Sequence, residues 1–309
     1  MRVGLSSLMD AGLSGLAAET RAFYGLRKAG RGPGSLDELR TARAAALEPA
    51  KTSPAPSTEL VGDGYRRVPA RIHLPARDPA QGVLLDIHGG GFYMGSAAGS
   101  DVRNRCLADA LNIAVVSVDY RLAPEHPWPA APNDCETVAL WLAEHAESRF
   151  DTATLAIGGF SAGATLAVAT LLRLRDRGVT AFRGGVLQFG TYDLSAQTPA
   201  GRLIRDEYFL DAYAGAAPDR THPDLSPAFA ELTGLPPVLM IVGSEDVLLE
   251  DNLAMSARLA AAGVECDLRV YPACPHGFTG HPTPMARAAL DGIDGWLRGI
   301  LDAGLAAAE

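Results

Sequence analysis

The chain has 309 residues and a mass of 32.3 kDa, with 48% apolar and 20% charged side chains and a formal net charge of −9. This composition excludes a disordered or fibrous chain. The acidic balance argues against nucleic acid as a partner, because phosphate binding needs clustered Lys and Arg. No apolar run reaches the roughly 18 residues that a membrane span needs, so the composition reads as a soluble globular protein without a membrane partner.

The N-terminus begins like a secretion signal, but Asp10 and Glu19 interrupt it before an apolar core or cleavage site forms. Leu5, Leu8, Met9, Gly12, Leu13 and Leu16 instead fall at the spacing of an amphipathic helix. A second helix is expected from the capping box Ser35-Leu36-Asp37-Glu38 towards Leu47. The Pro- and Ser/Thr-rich stretch 49–58 reads as a linker. Four dispersed cysteines (Cys106, Cys135, Cys266, Cys274) form neither a zinc-ligand spacing nor a disulfide scaffold. They are read as free packing residues of a cytoplasmic protein, with no metal site.

Beyond the linker, short apolar runs alternate with helical patterns. Val83–Ile87, Ile113–Val118, Leu155–Gly158, Gly185–Phe189, Val238–Val242 and Leu268–Tyr271 are expected as buried strands. Helices are expected around Val138–His145, from after Ser161 to about Arg177, and ending at Gly263. This alternation predicts an α/β fold with a mainly parallel sheet and helices on both faces. The Tyr- and Phe-containing stretch from about Ser195 to Pro223 breaks the rhythm and reads as an insertion, either a binding element or a surface excursion.

Two motifs, with a histidine and an aspartate beyond them, carry chemistry. Gly159-Phe160-Ser161-Ala162-Gly163 follows a buried strand and opens an Ala/Leu-rich helix, the context of a nucleophile elbow. His88-Gly89-Gly90-Gly91 follows another strand and offers unobstructed backbone N–H groups for an oxyanion, with Ala162 N–H as a further donor. A phosphate-binding glycine loop is the rival reading, but a GxGxxG pattern, a Walker lysine and an acidic ribose binder are missing. His88 is expected to shape the loop. Of seven histidines (His73, His88, His126, His145, His222, His276, His281), His276 lies just beyond the last strand, with His281 as its competitor. Asp246 follows the strand Val238–Val242 and is the first choice of orienting acid, ahead of Asp193, Glu245 and Asp251. The order Ser161, Asp246, His276 is that of the α/β-hydrolases.

From about Val83 to Trp296 the chain resembles the hormone-sensitive-lipase-type carboxylesterases, the bacterial α/β-hydrolases marked by an HGGG motif. The matches are HGGGFYMGS (88–96), DYRLAPEHPWPAAPND (119–134), GFSAGA (159–164), SPAFAELTGLPP (226–237), SEDVLLED (244–251) and YPACPHGF (271–278). The resemblance implies Ser161 as nucleophile, Asp246 as acid and His276 as base. Two of the Gly89, Gly90 and Gly91 amides, with Ala162, would form the oxyanion hole, and no cofactor is needed. It also implies a helical cap from residues 1–50 and an insertion at about 195–223, on a catalytic domain spanning 59–309. The family motif GDSAGG is altered by Phe160 and Ala164, which bear on substrate preference and leave the reaction class alone.

The expected activity is hydrolysis of short-acyl carboxylic esters through an acyl-enzyme. The same residues serve an amidase or deacetylase of an acetylated metabolite. A non-catalytic small-molecule binder on this fold is a further alternative, against which all three triad positions stand. The expected partner is a small-molecule ester, and the family resemblance is compatible with a homodimer.

Overall fold

The computed structural model describes residues 4–27, 32–46, 48–62 and 64–306. Met1–Val3 at the start of the expected cap, Leu47 at the expected end of its second helix and residues 307–309 lie outside the described residues. In chain order the elements are α1 (Ala17–Gly25), α2 (Leu36–Ala44), β1 (Ser57–Gly62), β2 (Arg67–His73), β3 (Val83–Ile87), α3 (Asp101–Leu111), β4 (Ala114–Val118) and α4 (Ala130–Phe150). They continue as β5 (Leu155–Phe160), α5 (Ala162–Asp176), β6 (Phe182–Gln188), α6 (Tyr208–Ala214), β7 (Val238–Gly243), α7 (Leu249–Ala261), β8 (Cys266–Tyr271) and α8 (Pro284–Ala306).

The eight strands form one sheet in the order β1-β2-β4-β3-β5-β6-β7-β8. The pairs β1–β2 and β2–β4 are antiparallel, and every pair from β4 onward is parallel. Alternate residues of the central strands face opposite ways, yet both faces are apolar. Val83, Leu85 and Ile87 of β3 join Leu142, Leu166 and Leu259 in the core under α4, α5 and α7. Leu84 faces the other core with Leu111 of α3 and Ile293 and Leu297 of α8. Helices on both faces bury the central strands, which is why these strands read as continuous apolar runs.

Three sequence expectations are corrected, and three elements, β1, β2 and α8, lie outside the expected set. The linker reading overlaps the start of β1. The segment from Leu5 to Leu16 is two short 3-10 turns, Leu5–Leu8 and Ala11–Leu16, rather than one amphipathic helix. Gly12 and Gly15 disfavour a continuous helix, and the Asp10 carboxylate accepts the Gly12 N–H at 2.8 Å, closing a local turn. The apolar stripe is nonetheless used, since Leu5, Leu8, Met9, Leu13 and Leu16 pack against the α3–α8 core. Strand β8 is a sheet edge with four half-buried residues, not a fully buried strand.

The capping box forms much as expected. Ser35 Oγ accepts the Glu38 N–H at 3.2 Å, and the Glu38 carboxylate reaches back to the Gly34 N–H at 2.7 Å. Among the described residues no helix is long and apolar enough to cross a membrane, and all four cysteines are free thiols.

In the first turn of α7, the buried Asp251 carboxylate accepts the Tyr192 N–H at 2.5 Å. Burial pushes its pKa up from 3.8 to about 6, with nearby Asp193 adding to the rise. The folded state therefore holds this proton more tightly than the unfolded chain does. The stabilisation is fully present below about pH 4 and is lost as pH rises through about 6. Asp251→Asn keeps an acceptor for Tyr192 but cannot ionise. Its unfolding free energy relative to wild type is expected to improve by about 1.4 kcal/mol per pH unit between those limits. A pH-independent difference in denaturant titrations would rule this out.

Candidate active site

Parallel strands bring their carboxyl ends to one edge, and four loops leave that edge carrying the predicted residues. Ser161 stands between β5 and α5 at φ 53° and ψ −125°, in the left-handed half of backbone space. Its N–H donates to the Gln188 carbonyl at the end of β6 at 2.8 Å. Asp246 follows β7, and His276 follows β8. His276 Nε2 lies 3.0 Å from Ser161 Oγ, while Nδ1 lies 3.0 and 3.1 Å from the two Asp246 oxygens. The Asp246 side chain is fully buried and also accepts the Leu248 N–H at 2.8 Å. These contacts orient the imidazole with Nδ1–H towards the carboxylate, leaving Nε2 to accept from the serine hydroxyl.

Close approach of the Asp246 and His276 loops depends on Gly243. A Cβ there would sit 2.0 Å from the Cys274 carbonyl oxygen, two residues before His276. That same carbonyl accepts the Glu245 N–H at 3.0 Å. Ser244 N–H donates to the Tyr271 carbonyl, and Ser244 Oγ accepts the Ala273 N–H, both at 2.9 Å. Two loops from different strands are thus stitched together immediately before the carboxylate and imidazole meet.

The glycine turn follows β3. Gly90 has φ 120°, and a Cβ there would lie 2.2 Å from the Met94 carbonyl oxygen, so only glycine fits. Among the described residues, the N–H groups of Gly89, Gly90, Gly91 and Ala162 donate to no protein acceptor. His88 is buried; its Nδ1 contacts the Gly89 carbonyl at 2.8 Å, and its ring stacks on Tyr120 at 4.1 Å. Tyr120 Oη donates to the His88 carbonyl at 2.9 Å. Burial lowers the His88 pKa, which keeps the imidazole neutral and suits it to shaping the turn.

The competing residues are engaged elsewhere. Asp193 accepts from the N–H and hydroxyl groups of Ser195 and Thr198. Glu245 lies on the surface 3.8 Å from Arg21, and Asp251 holds the Tyr192 amide. His281 Nδ1 is hydrogen-bonded to Tyr24 Oη of α1 at 3.0 Å. Burial raises Tyr24 to about 12 and lowers His281, so this is a bond between neutral partners. His73 contacts Asp101, His145 the Trp141 carbonyl, and His222 Nδ1 the Asp224 amide. Ala164 is fully buried, while the Phe160 ring covers Gly89 and meets Phe189 edge-on at 6.4 Å.

Sequence reasoning missed Arg43, in the last turn of α2. Its guanidinium donates to the Tyr93 carbonyl at 2.7 and 3.0 Å, to the Ala123 carbonyl at 2.6 Å, and pairs with Glu125 at 2.7 Å. It ties α2 to the stretch that continues the glycine turn. No motif marks this arginine, because its partners are carbonyls about 50 and 80 residues away.

Gly243→Ala is expected to lower stability by about 1–3 kcal/mol through forced separation of the two loops. Chemical denaturation reads this directly; a variant as stable as wild type would mean that the loops yield without cost.

A family model described as the alpha/beta hydrolase fold matches residues 84–280. The carboxylic ester hydrolase LipN of Mycobacterium tuberculosis is 36% identical over 230 residues, covering 68% of this chain and 61% of LipN. The chain therefore spans less than two thirds of that relative. Carboxylesterase NlhH of the same organism is 33% identical over 276 residues, covering 82% of this chain and 86% of its own. A solved esterase structure from Pyrobaculum calidifontis superposes with a TM-score of 0.79 at 27% identity, covering 92% of this chain and 99% of that one. The span matched by the family model includes the glycine turn, Ser161 and the His276 loop, and the chain belongs to the hormone-sensitive-lipase-type carboxylesterases of the α/β-hydrolase superfamily.

Proposed function

We propose that this chain is a carboxylic ester hydrolase that cleaves short-acyl esters, with Ser161 as nucleophile, His276 as general base and acid, and Asp246 as the carboxylate that orients His276. The observation that carries this reading is the unbroken hydrogen-bond path from Ser161 Oγ through the imidazole to the buried Asp246. His276 removes the hydroxyl proton as Oγ attacks the ester carbonyl, and Asp246 stabilises the imidazolium that forms. The oxyanion is received by Ala162 N–H and two of the Gly89, Gly90 and Gly91 amides. Donors with no protein partner to give up meet developing charge without reorganisation, and each is worth about 3–4 kcal/mol in the transition state. His276 then protonates the leaving alcohol. Water, deprotonated by the same imidazole, releases the acid from the acyl-enzyme.

The short-acyl preference is supported by aromatic packing beside the glycine turn. Phe92 stacks on Tyr213 of α6 at 4.0 Å, and Phe209 stacks on Tyr93 at 6.3 Å. In this reading residues 1–50 and about 195–223 form a cap, with α6 walling one side of the pocket. Tyr24 and Arg43 attach the N-terminal part to the His276 loop and the glycine turn.

The test is hydrolysis of p-nitrophenyl esters from acetate to palmitate, with p-nitroacetanilide alongside. Activity is expected to fall steeply beyond hexanoate or octanoate; equal rates on palmitate would overturn the short-acyl reading, and preference for the anilide would make the chain an amidase. Ser161→Ala should keep the wild-type melting temperature and lose at least about a thousandfold in rate. Higher residual turnover would exclude Ser161 as nucleophile.

A further inference from the structure

Gln188 joins the two sides of the proposed proton path, and no motif marks it. It is the last residue of β6, paired with Phe160 across the ladder, and its carbonyl accepts the Ser161 N–H at 2.8 Å. Its side chain points to a different element: Oε1 accepts from the Thr279 hydroxyl at 3.0 Å. Thr279 lies three residues past His276, in the short 3-10 turn Phe278–Gly280, and the Gly280 N–H closes that turn onto the Gly277 carbonyl. The next residue, Phe189, sets its ring edge-on to His276 at 5.1 Å and near Phe278 at 6.1 Å. One strand end therefore holds the backbone of the serine and the outgoing side of the histidine loop. The incoming side of that loop is held separately, by the Ser244 and Glu245 contacts to residues 271–274.

We propose that Gln188 is a positioning residue, whose carboxamide sets the approach of His276 to Ser161 by anchoring Thr279 to the strand that anchors the nucleophile. The proposal rests on the reading of Ser161 as nucleophile and His276 as base. Proton transfer from serine requires a hydrogen-bonded base, and rates fall steeply when reacting groups drift by fractions of an ångström. Without the Gln188–Thr279 bond, the imidazole keeps Asp246 and the Phe189 ring contact but loses the hydrogen bond that ties its outgoing loop to the strand of the nucleophile. The loss should therefore appear in the chemical step and leave substrate binding intact.

The experiment compares Gln188→Leu, Thr279→Val, the double variant and Thr279→Ser. Three quantities are read: kcat and KM on p-nitrophenyl butyrate, the rate of Ser161 labelling by a fluorophosphonate, and the melting temperature. Each of the first two variants should lose about tenfold in both kcat and labelling rate, with KM within about twofold of wild type. The double variant should be no slower than either single one, because both remove the same bond. Thr279→Ser, which retains the hydroxyl, should restore most of the rate. Unchanged rates, multiplicative losses in the double variant, or a serine variant as slow as the valine one would each overturn the proposal. So would rate losses that simply follow a fall in melting temperature. A wild-type chain that takes no label would overturn the nucleophile assignment itself. A labelled wild type with unimpaired variants would overturn the role of Gln188 alone.

Discussion

At Ser161 the backbone occupies φ 53° and ψ −125°, a region that costs a residue with a side chain on the order of 1–3 kcal/mol. Such a conformation persists only where its surroundings over-determine it. Here the Gln188 carbonyl fixes the Ser161 amide, and the Ser161 carbonyl accepts the Ala164 N–H at 2.9 Å as α5 begins. The turn throws the hydroxyl off the sheet edge while the backbone continues directly from strand into helix. His276 Nε2 meets that displaced oxygen at 3.0 Å.

The parallel sheet accounts for the convergence. The ends of β3, β5, β7 and β8 lie at the same edge, so residues more than a hundred positions apart meet without a long connection. Their final alignment comes from backbone-to-backbone stitching between loops, and the sheet alone would not supply it. Gly243 and Cys274 bring the Asp246 and His276 loops so close that a side chain at 243 would collide with the Cys274 carbonyl. A fully buried Asp246 then fixes the Nδ1 side of a partly exposed His276.

Much of this was legible in the residues. Continuous apolar runs bounded by glycine announced the parallel strands, because a strand buried on both faces has no polar alternation to display. HGGG, GFSAG and the order Ser161, Asp246, His276 located the loops that the structure brings together. What escaped detection had a physical reason. Strands β1 and β2 lie at the antiparallel margin, where Glu59, Arg67 and Arg71 alternate with apolar residues and Pro69 interrupts the pattern. The stripe from Leu5 to Leu16 has helical spacing, but its glycines and Asp10 favour tighter turns, so the packing face was correct and the conformation was not. Arg43 and Gln188 act through backbone carbonyls and a single hydroxyl. Such contacts leave no periodicity and no composition signal; only three-dimensional placement exposes them.

The Arg43 contacts also couple the N-terminal segment to the glycine turn. A guanidinium from the N-terminal segment grips the Tyr93 and Ala123 carbonyls directly behind the glycine turn. That segment and the glycine turn therefore share a mechanical link, and a change in α2 that displaces Arg43 reaches the backbone that continues the turn. Tyr213 and Phe209 of α6 meet the same stretch differently, by stacking on Phe92 and Tyr93, so their contact depends on ring shape and not on a fixed set of hydrogen bonds.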